Sequence, residues 1–264
     1  MRISVITVSY NSAATLRDTM QSILSQNYCD WEHIIIDGGS KDNTIQIIKE
    51  LEPLYEGRMK WVSEPDKGLY DAMNKGIAMA TGDVVGILNS DDFYTSDDIL
   101  TRVAEALTDE NVDAVYGDIH FVDAVNTAKC VRYYSSRFFS RRMMLMGYQP
   151  AHPSFYCRKS FYDRCGGFDT GFRVAADFEH MLRLIYIDRI RIRYLPLDFV
   201  TMRTGGASTN GLGSHRRIMA DHHRAYAKHR LRLGHLLDFL RYPCKVAAIV
   251  VYKFKSLFGD KTRN

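Results

Sequence analysis

Over its first hundred residues the chain alternates four times between a short β-branched run and a segment with apolar residues at helical spacing. Ile3 to Val8, Trp31 to Ile36, Met59 to Val62 and Val84 to Leu88 read as strands. Leu16, Met20, Ile23 and Leu24 mark the first helix, and Ile45, Ile48 and Leu51 the second. Gly68 to Ala80 is the third, and Asp97-Asp98 opens a fourth that runs to about Leu107. Asn11 or Ser12, and then Asp42 or Asn43, are predicted N-caps. This order implies a parallel sheet with right-handed crossovers, covered by helices on both faces. The near-continuous apolarity of the strands fits such burial. Sheets of this kind bind ligands at the carboxyl ends of their strands. That rule points to Ser9-Tyr10-Asn11, Asp37-Gly38-Gly39-Ser40 and Asn89-Ser90-Asp91-Asp92.

Beyond Val112 the pattern is mixed. Strands are expected at Val112 to His120, Lys129 to Tyr134, Phe155 to Cys157 and Arg191 to Leu197, with a helix at Asp177 to Ile187. Residues 212 to 258 read as two helices. Neither a repeat nor a low-complexity linker divides the chain, so the second half is expected to complete one compact unit. The formal charge of +4 hides a split. Residues 1 to 202 carry 22 Lys/Arg against 28 Asp/Glu, and residues 203 to 264 carry 13 against 3. A chain acidic over three quarters of its length is not a general nucleic-acid binder. The five cysteines are odd in number and lack CxxC spacing, which suits a reduced cytosol better than a disulfide framework or a zinc site. No apolar run approaches the ~20 residues of a membrane-spanning helix, and the opening residues are too short for a secretory signal core.

Asp91-Asp92 is the strongest local chemical signal. Adjacent carboxylates at a strand end repel each other, and a hard divalent cation shared with phosphate oxygens relieves that repulsion. A plain surface turn is the alternative. Asp37 offers an acceptor to a base edge, Gly38-Gly39 permits close backbone approach, and Tyr10 can cover a ring. Neither GxGxxG after the first strand nor GxxxxGK[ST] occurs, so dinucleotide and P-loop readings lose their main support.

Together these segments resemble the family 2 glycosyltransferases, of the nucleotide-diphospho-sugar-transferase (GT-A) fold. Ser4-Val-Ile-Thr-Val-Ser-Tyr-Asn11 is similar to the family's opening strand. Ile36-Asp-Gly-Gly-Ser-Lys-Asp-Asn-Thr44 is similar to its Asp-Asp-Gly-Ser-x-Asp-x-Thr segment. Gly68-Leu-Tyr-Asp-Ala-Met-Asn-Lys-Gly76 is similar to its Gly-x-x-x-Ala-x-Asn-x-Gly helix, and Asn89-Ser-Asp-Asp92 to its DxD region. Glu64 to Lys75 resembles a bacterial branch tied to exopolysaccharide and colanic-acid-type clusters. The likeness is strong to residue 100 and thinner to about 205. It implies an α/β GT-A fold, with a mostly parallel central sheet between helical layers and added carboxyl-terminal helices. It also implies donor contacts from Tyr10, Asp37, Gly39, Ser40, Asn74, Asn89, Ser90 and Asp91, and Mg²⁺ or Mn²⁺ on Asp91 and Asp92. Lys67, at the next strand-helix junction, is a donor-binding candidate beside the diphosphate, with a solvated helix start as its alternative. Gly167 to Asp177 resembles the stretch ending at the general base, which makes Asp177 that base; a helix N-cap is its alternative role. His152, between two prolines, is a candidate on the acceptor side. Three departures stand out: Asn89 for a usual Asp, Ala176 for a usual Glu, and Gly205-Gly206 where many members carry a His.

The activity implied is inverting, hexosyltransferase-type sugar transfer. It runs from a nucleotide diphosphate, UDP by default, to a hydroxyl of a glycan or a polyprenyl-diphosphate-linked acceptor. A binding protein of the same fold without transfer is the alternative, and a nucleotidyltransferase is a weaker third. The expected division is a catalytic domain over 1–205, with a nucleotide-sugar half (1–110) and an acceptor half (111–205), followed by a basic helical appendage over 206–264. Leu236 to Phe258 mixes apolar and basic residues as an interfacial helix does, with a break at Pro243, so the protein is expected in the cytoplasm on the inner membrane face. His215, His222, His223 and His229 read as an exposed basic face. Arg132, Arg137, Arg141 and Arg142, interleaved with aromatics, suit lipid headgroups or an acceptor diphosphate.

Overall fold

The structure, a computed structural model, describes residues 1–205 and 211–238. Its strands are β1 (Ile3–Ser9), β2 (Trp31–Asp37), β3 (Met59–Ser63), β4 (Val84–Ile87), β5 (Phe93–Tyr94), β6 (Ala114–Val122), β7 (Cys130–Tyr134), β8 (Tyr156–Arg158) and β9 (Ile192–Arg203). The helices are α1 (Leu16–Leu24), α2 (Thr44–Leu51), α3 (Leu69–Met79), α4 (Ile99–Leu107), α5 (Lys159–Cys165), α6 (Ala176–Met181), α7 (Gly211–Lys228) and α8 (Arg232–Leu237). One sheet runs β3-β2-β1-β4-β8-β6-β9-β5, with β7 added on β6. The β3-β2-β1-β4 half is parallel as expected. Beyond it, β8 runs antiparallel to both β4 and β6, β6 and β9 are parallel, and β5 and β7 are antiparallel additions. The sheet is therefore mixed.

Alternation along the strands builds both faces. Ile6, Val8, Ile34 and Ile36 enter one buried cluster with Met73 of α3 and Phe178 of α6. Ile3, Val5, Trp31 and Ile35 enter the other, with Met20 of α1, Ile48 of α2 and Val103 of α4. Gly76 lets α3 press against β1, since a Cβ there would lie 2.4 Å from Ile6 Cγ2. Buried polar groups on β1 and β2 pair with each other. Ser4 donates to Glu32 at 2.7 Å, Thr7 Oγ1 lies 2.9 Å from His33 Nε2, and Ser9 donates to Asp37 at 3.1 Å.

Of the expected caps, only Asn43 stands at an N-cap position, that of α2, and it makes no side-chain capping bond. α1 begins only at Leu16, and Asn11 Oδ1 accepts from the Lys41 N–H at 2.8 Å. Asp42 closes a turn by accepting from the Thr44 N–H at 3.0 Å, without capping α2. The last strand runs on to Arg203, beyond the expected Leu197.

α7 packs one side into the unit and keeps Arg216, Arg217, Arg224 and Lys228 exposed on the other. Of the histidines expected on an exposed basic face, His222 is buried and His223 and His229 are partly buried. Tyr226 is fully buried and donates to the Met144 carbonyl at 2.8 Å. His222 is buried, stacks on Phe178 at 3.7 Å and pairs with Asp238 at 2.9 Å. Asp221 Oδ2 accepts from the Val174 and Ala175 N–H groups at 2.9 and 3.2 Å, so α7 holds the loop that leads into α6. Glu179 of α6, fully buried, receives Lys228 at 2.9 Å, His229 at 2.7 Å and Arg183 at 3.0 Å. Most of the expected interfacial stretch, with Pro243, lies outside the described residues, as does Gly206. Among the described residues no helix is long and apolar enough to cross a membrane.

Burial pushes the Glu179 carboxyl up, but His229, Lys228 and Arg183 together outweigh it and hold it at about 2, below its ordinary 4.5. Its stabilisation is therefore complete above pH 4.5 and is lost as the pH falls toward 2. Glu179→Gln is expected to cost about 2 kcal/mol at neutral pH, discounted because Lys228 is half in solvent. Thermal unfolding across that window checks this: the gap between variant and parent should close as the pH falls.

Candidate functional site

The carboxyl ends of β1 and β4 open into a cleft of about 750 Å³. Ser9 to Ser12 line one wall and Asn89 to Asp92 another, with Asp66, Gly68 to Tyr70, Phe121, His152, Arg173, Asp177 and Arg203 completing it. The turn after β4 is closed by the Asp92 N–H on the Asn89 carbonyl at 3.1 Å. It is tied to α1 by the Thr19 hydroxyl on the Asp92 carbonyl at 2.6 Å. Ser12 and Ser90 hydroxyls meet at 2.9 Å, joining the two strand ends.

Of the residues expected at the site, Tyr10, Asn89, Ser90, Asp91, Asp92, His152 and Asp177 line this cleft. The other five do not. Asp37 has no accessible surface, and its carboxylate is already engaged. It accepts from Ser9, Ser40 and Ser63 hydroxyls and from the Gly39 and Ser40 N–H groups. The expected contact with a base edge is thereby corrected: Asp37 and the Gly39–Ser40 turn form a brace beneath the cleft. Asn74 is spent on the Phe168 backbone, donating to its carbonyl and accepting its N–H, both at 2.8 Å. Lys67 is exposed beside the cleft.

The acidic loop fits a divalent cation only as an open site. Asp92 is buried, and burial followed by the charge of Asp91 pushes its carboxyl well above the ordinary range. Burial also raises Asp91, against the pull of Arg203. Asn89 Nδ2 donates to Asp92 Oδ2 at 3.2 Å, while Asp92 Oδ1 and Asn89 Oδ1 are buried without a hydrogen-bond partner among the described residues. Among the described residues no cluster of three or more His, Cys, Asp or Glu could enclose an ion. The donor set therefore suits a hard cation that draws its remaining ligands from phosphate.

Asp177 lies in the first turn of α6, whose N-cap is Ala175, so the capping alternative does not hold. Gln149 Nε2 donates to Asp177 Oδ2 at 2.8 Å, and the Tyr70 hydroxyl is 3.4 Å from Oδ1. Burial pulls the nearby His152 imidazole below its ordinary range, with the Asp177 charge opposing. The His152 ring packs edge-on to Phe168 at 5.5 Å.

Arg203, Asp66, Arg173, Tyr70 and Gln149 were not among the expected contacts. Arg203 is buried, donates to the Asp91 carbonyl at 2.8 Å, pairs with Asp18 and stacks on Phe93 at 5.0 Å. The basic side chain ending a strand on the ligand side of the sheet was its available signal, and the early expected end of β9 hid it. Arg132 stacks on Phe121, a wall residue, at 4.7 Å. Arg141 instead donates to the Ile190 carbonyl at 2.9 Å, so the four basic-aromatic arginines do not act alike.

Known proteins place this geometry. The Glycosyl transferase family 2 model matches residues 4–164. An uncharacterized glycosyltransferase of Mycobacterium tuberculosis is 35% identical over 246 residues, 88% of each chain. A PGL/p-HBAD biosynthesis glycosyltransferase of Mycobacterium bovis is 28% identical over 208 residues, 78% of each. Residues 1–349 of S. aureus TarS, crystallised with UDP, superpose with a TM-score of 0.65 at 18% identity, covering 85% of this chain and 65% of that one. The chain spans 39% of the longer TarS structure. A Pyrobaculum calidifontis mannosyltransferase in complex with GDP-Man and Mn²⁺ superposes with a TM-score of 0.62 at 18% identity, covering 97% of this chain and 79% of that one. With its GT-A fold, its cleft at the sheet's carboxyl edge and these relatives, the chain belongs to glycosyl transferase family 2.

Proposed function

We propose that the protein is an inverting glycosyltransferase that moves a hexose from a nucleotide diphosphate, UDP by preference, to a hydroxyl of a glycan or polyprenyl-diphosphate-linked acceptor. The observation that carries this reading is that Asp177 and the acidic loop at Asp91 line one cleft. Tyr10, at the rim and 63% exposed, covers the base, and Ser90 and Asn89 border the ribose and diphosphate. Asp91, with Asp92 behind it, would hold Mg²⁺ or Mn²⁺ together with the donor's phosphates. When bound, that cation supplies Lewis-acid stabilisation of the departing diphosphate. Asp177 takes the proton from the attacking hydroxyl as general base. A single base serving direct displacement gives inversion, by the same logic as in inverting hydrolases. His152 borders the acceptor. Arg203 keeps the Asp91 loop in place through its backbone carbonyl.

In this reading the catalytic unit extends past the expected boundary at 205 to take in α7, whose Asp221 and Lys228 hold the segment bearing Asp177, and the basic residues beyond it draw the enzyme to anionic lipid at the inner membrane face. An exopolysaccharide-type pathway suits a lipid-linked acceptor. A donor-binding protein without transfer is the second reading. The tie between Asn89 and Asp92 favours it, because it engages one of the two carboxylates that would hold the cation.

Three measurements test these assignments. A screen of UDP- and GDP-sugars with Mn²⁺ should show released nucleoside diphosphate, and binding by calorimetry without release would favour the second reading. Asp177→Asn should lower kcat about 10²- to 10⁴-fold with donor affinity and Tm unchanged; undiminished turnover would sink the base assignment. Removing residues 239–264 should weaken pelleting with phosphatidylglycerol-containing vesicles but not with neutral ones. Equal pelleting would remove the membrane role from that segment.

A further inference from the structure

The structure draws attention to a side chain that the proposed chemistry has not used. Gln149 follows the short turn Arg141–Met146 and Gly147, and precedes Pro150. Its backbone is held, because the Tyr134 hydroxyl donates to the Gln149 carbonyl at 2.8 Å. Its side-chain amide donates to Asp177 Oδ2 at 2.8 Å. The other end of that amide, Oε1, is buried and has no hydrogen-bond partner among the described residues. A buried acceptor left unpaired costs about 1–3 kcal/mol. An amide held at that cost, for one bond to a cleft carboxylate, is placed for the carboxylate.

The second oxygen of Asp177 is treated differently. The Tyr70 hydroxyl is 2.6 Å from the Val174 carbonyl and 3.4 Å from Asp177 Oδ1. A phenol has one proton, and the shorter bond takes it. Oδ1 therefore keeps its lone pairs available, while Oδ2 is engaged. The His152 ring lies near enough to feel the charge of this carboxylate, and the Arg173 guanidinium lines the same cleft.

We infer that Gln149 is a positioning residue for Asp177: its amide anchors Oδ2, turns the carboxylate, and leaves Oδ1 as the oxygen that receives the acceptor's proton. This rests on the reading of Asp177 as the base. Geometry of this kind governs the chemical step more than binding, since about 1 Å of misplacement costs as much as 10²-fold in rate. Gln149 reaches the substrate only through Asp177.

Gln149→Met tests it, keeping the side chain's length and bulk while removing the N–H. The probe reaction is release of nucleoside diphosphate from the UDP- or GDP-sugar turned over in the donor screen, and Asp177→Asn is the reference. The expected result is a kcat lowered about 10- to 100-fold, with donor KM and Tm as in the parent. In the Asp177→Asn background the same substitution should have no further effect, because the base that it positions is already gone. Full kcat in Gln149→Met, beside an inactive Asp177→Asn, overturns the inference and leaves the base assignment standing. A raised KM at unchanged kcat also overturns it, since Gln149 would then be binding substrate. An active Asp177→Asn removes the base reading itself. Should Gln149→Met lower Tm, the double variant decides: an additive loss of activity marks a structural role and overturns the inference.

Discussion

The buried carboxylate of Asp37 is the interaction on which the cleft edge of the sheet depends. It sits at the last residue of β2, between Ser9 at the end of β1 and Ser63 at the end of β3. Hydroxyls from both flanking strands, and the N–H groups of the turn that follows, converge on it. An ionised carboxylate has about four acceptor sites, and burial is tolerable only when they are filled. Filling them fixes three parallel strand ends at one level. Gly38 then brings Asp66 close, as its missing side chain shows: a Cβ there would lie 2.6 Å from Asp66 Oδ2. Tyr10 and Asp66 reach the cleft because Asp37 is committed below them.

A second set of buried charges supports the other side. Glu179 gathers Arg183, Lys228 and His229, and Asp221 accepts two N–H groups from the loop before α6. Both clamps join α7 to the segment that carries Asp177. The basic carboxyl-terminal part of the chain thus has two roles by position. Its first helix is part of the support of the site, whatever residues 239–264 do. The contrast of charge along the sequence is partly an internal pairing, since Lys228 of the basic portion faces Asp169 and Glu179 of the acidic portion.

The cleft itself joins two unlike halves. The parallel half supplies Tyr10, Ser90 and Asp91 from strand ends. The mixed half supplies Asp177, His152 and Arg203 from a helix start, a short turn and the end of the longest strand. Arg203 crosses between them, reaching Asp18 of α1 and the carbonyl of Asp91. It links the position of the acidic loop to the packing of β9.

The sequence by itself determined the parallel half, the strand ends that line the cleft and the family, because hydrophobic period and short motifs are local properties. It placed Asp91, Ser90, Tyr10 and Asp177 in the cleft. The tertiary structure alone decided which polar groups remain free there. Asp37 and Asn74 were legible as polar residues in motifs, but their bonds run to Ser63 and Phe168, which no local pattern ties to them. Gln149 and Arg203 met Asp177 and Asp91 across 28 and 112 residues. The mixed pairing of β6, β8 and β9 had the same origin, since strand neighbours distant in sequence are selected by packing and not by period. A side chain's chemistry is written in its type; its availability depends on what the fold has already bonded to it.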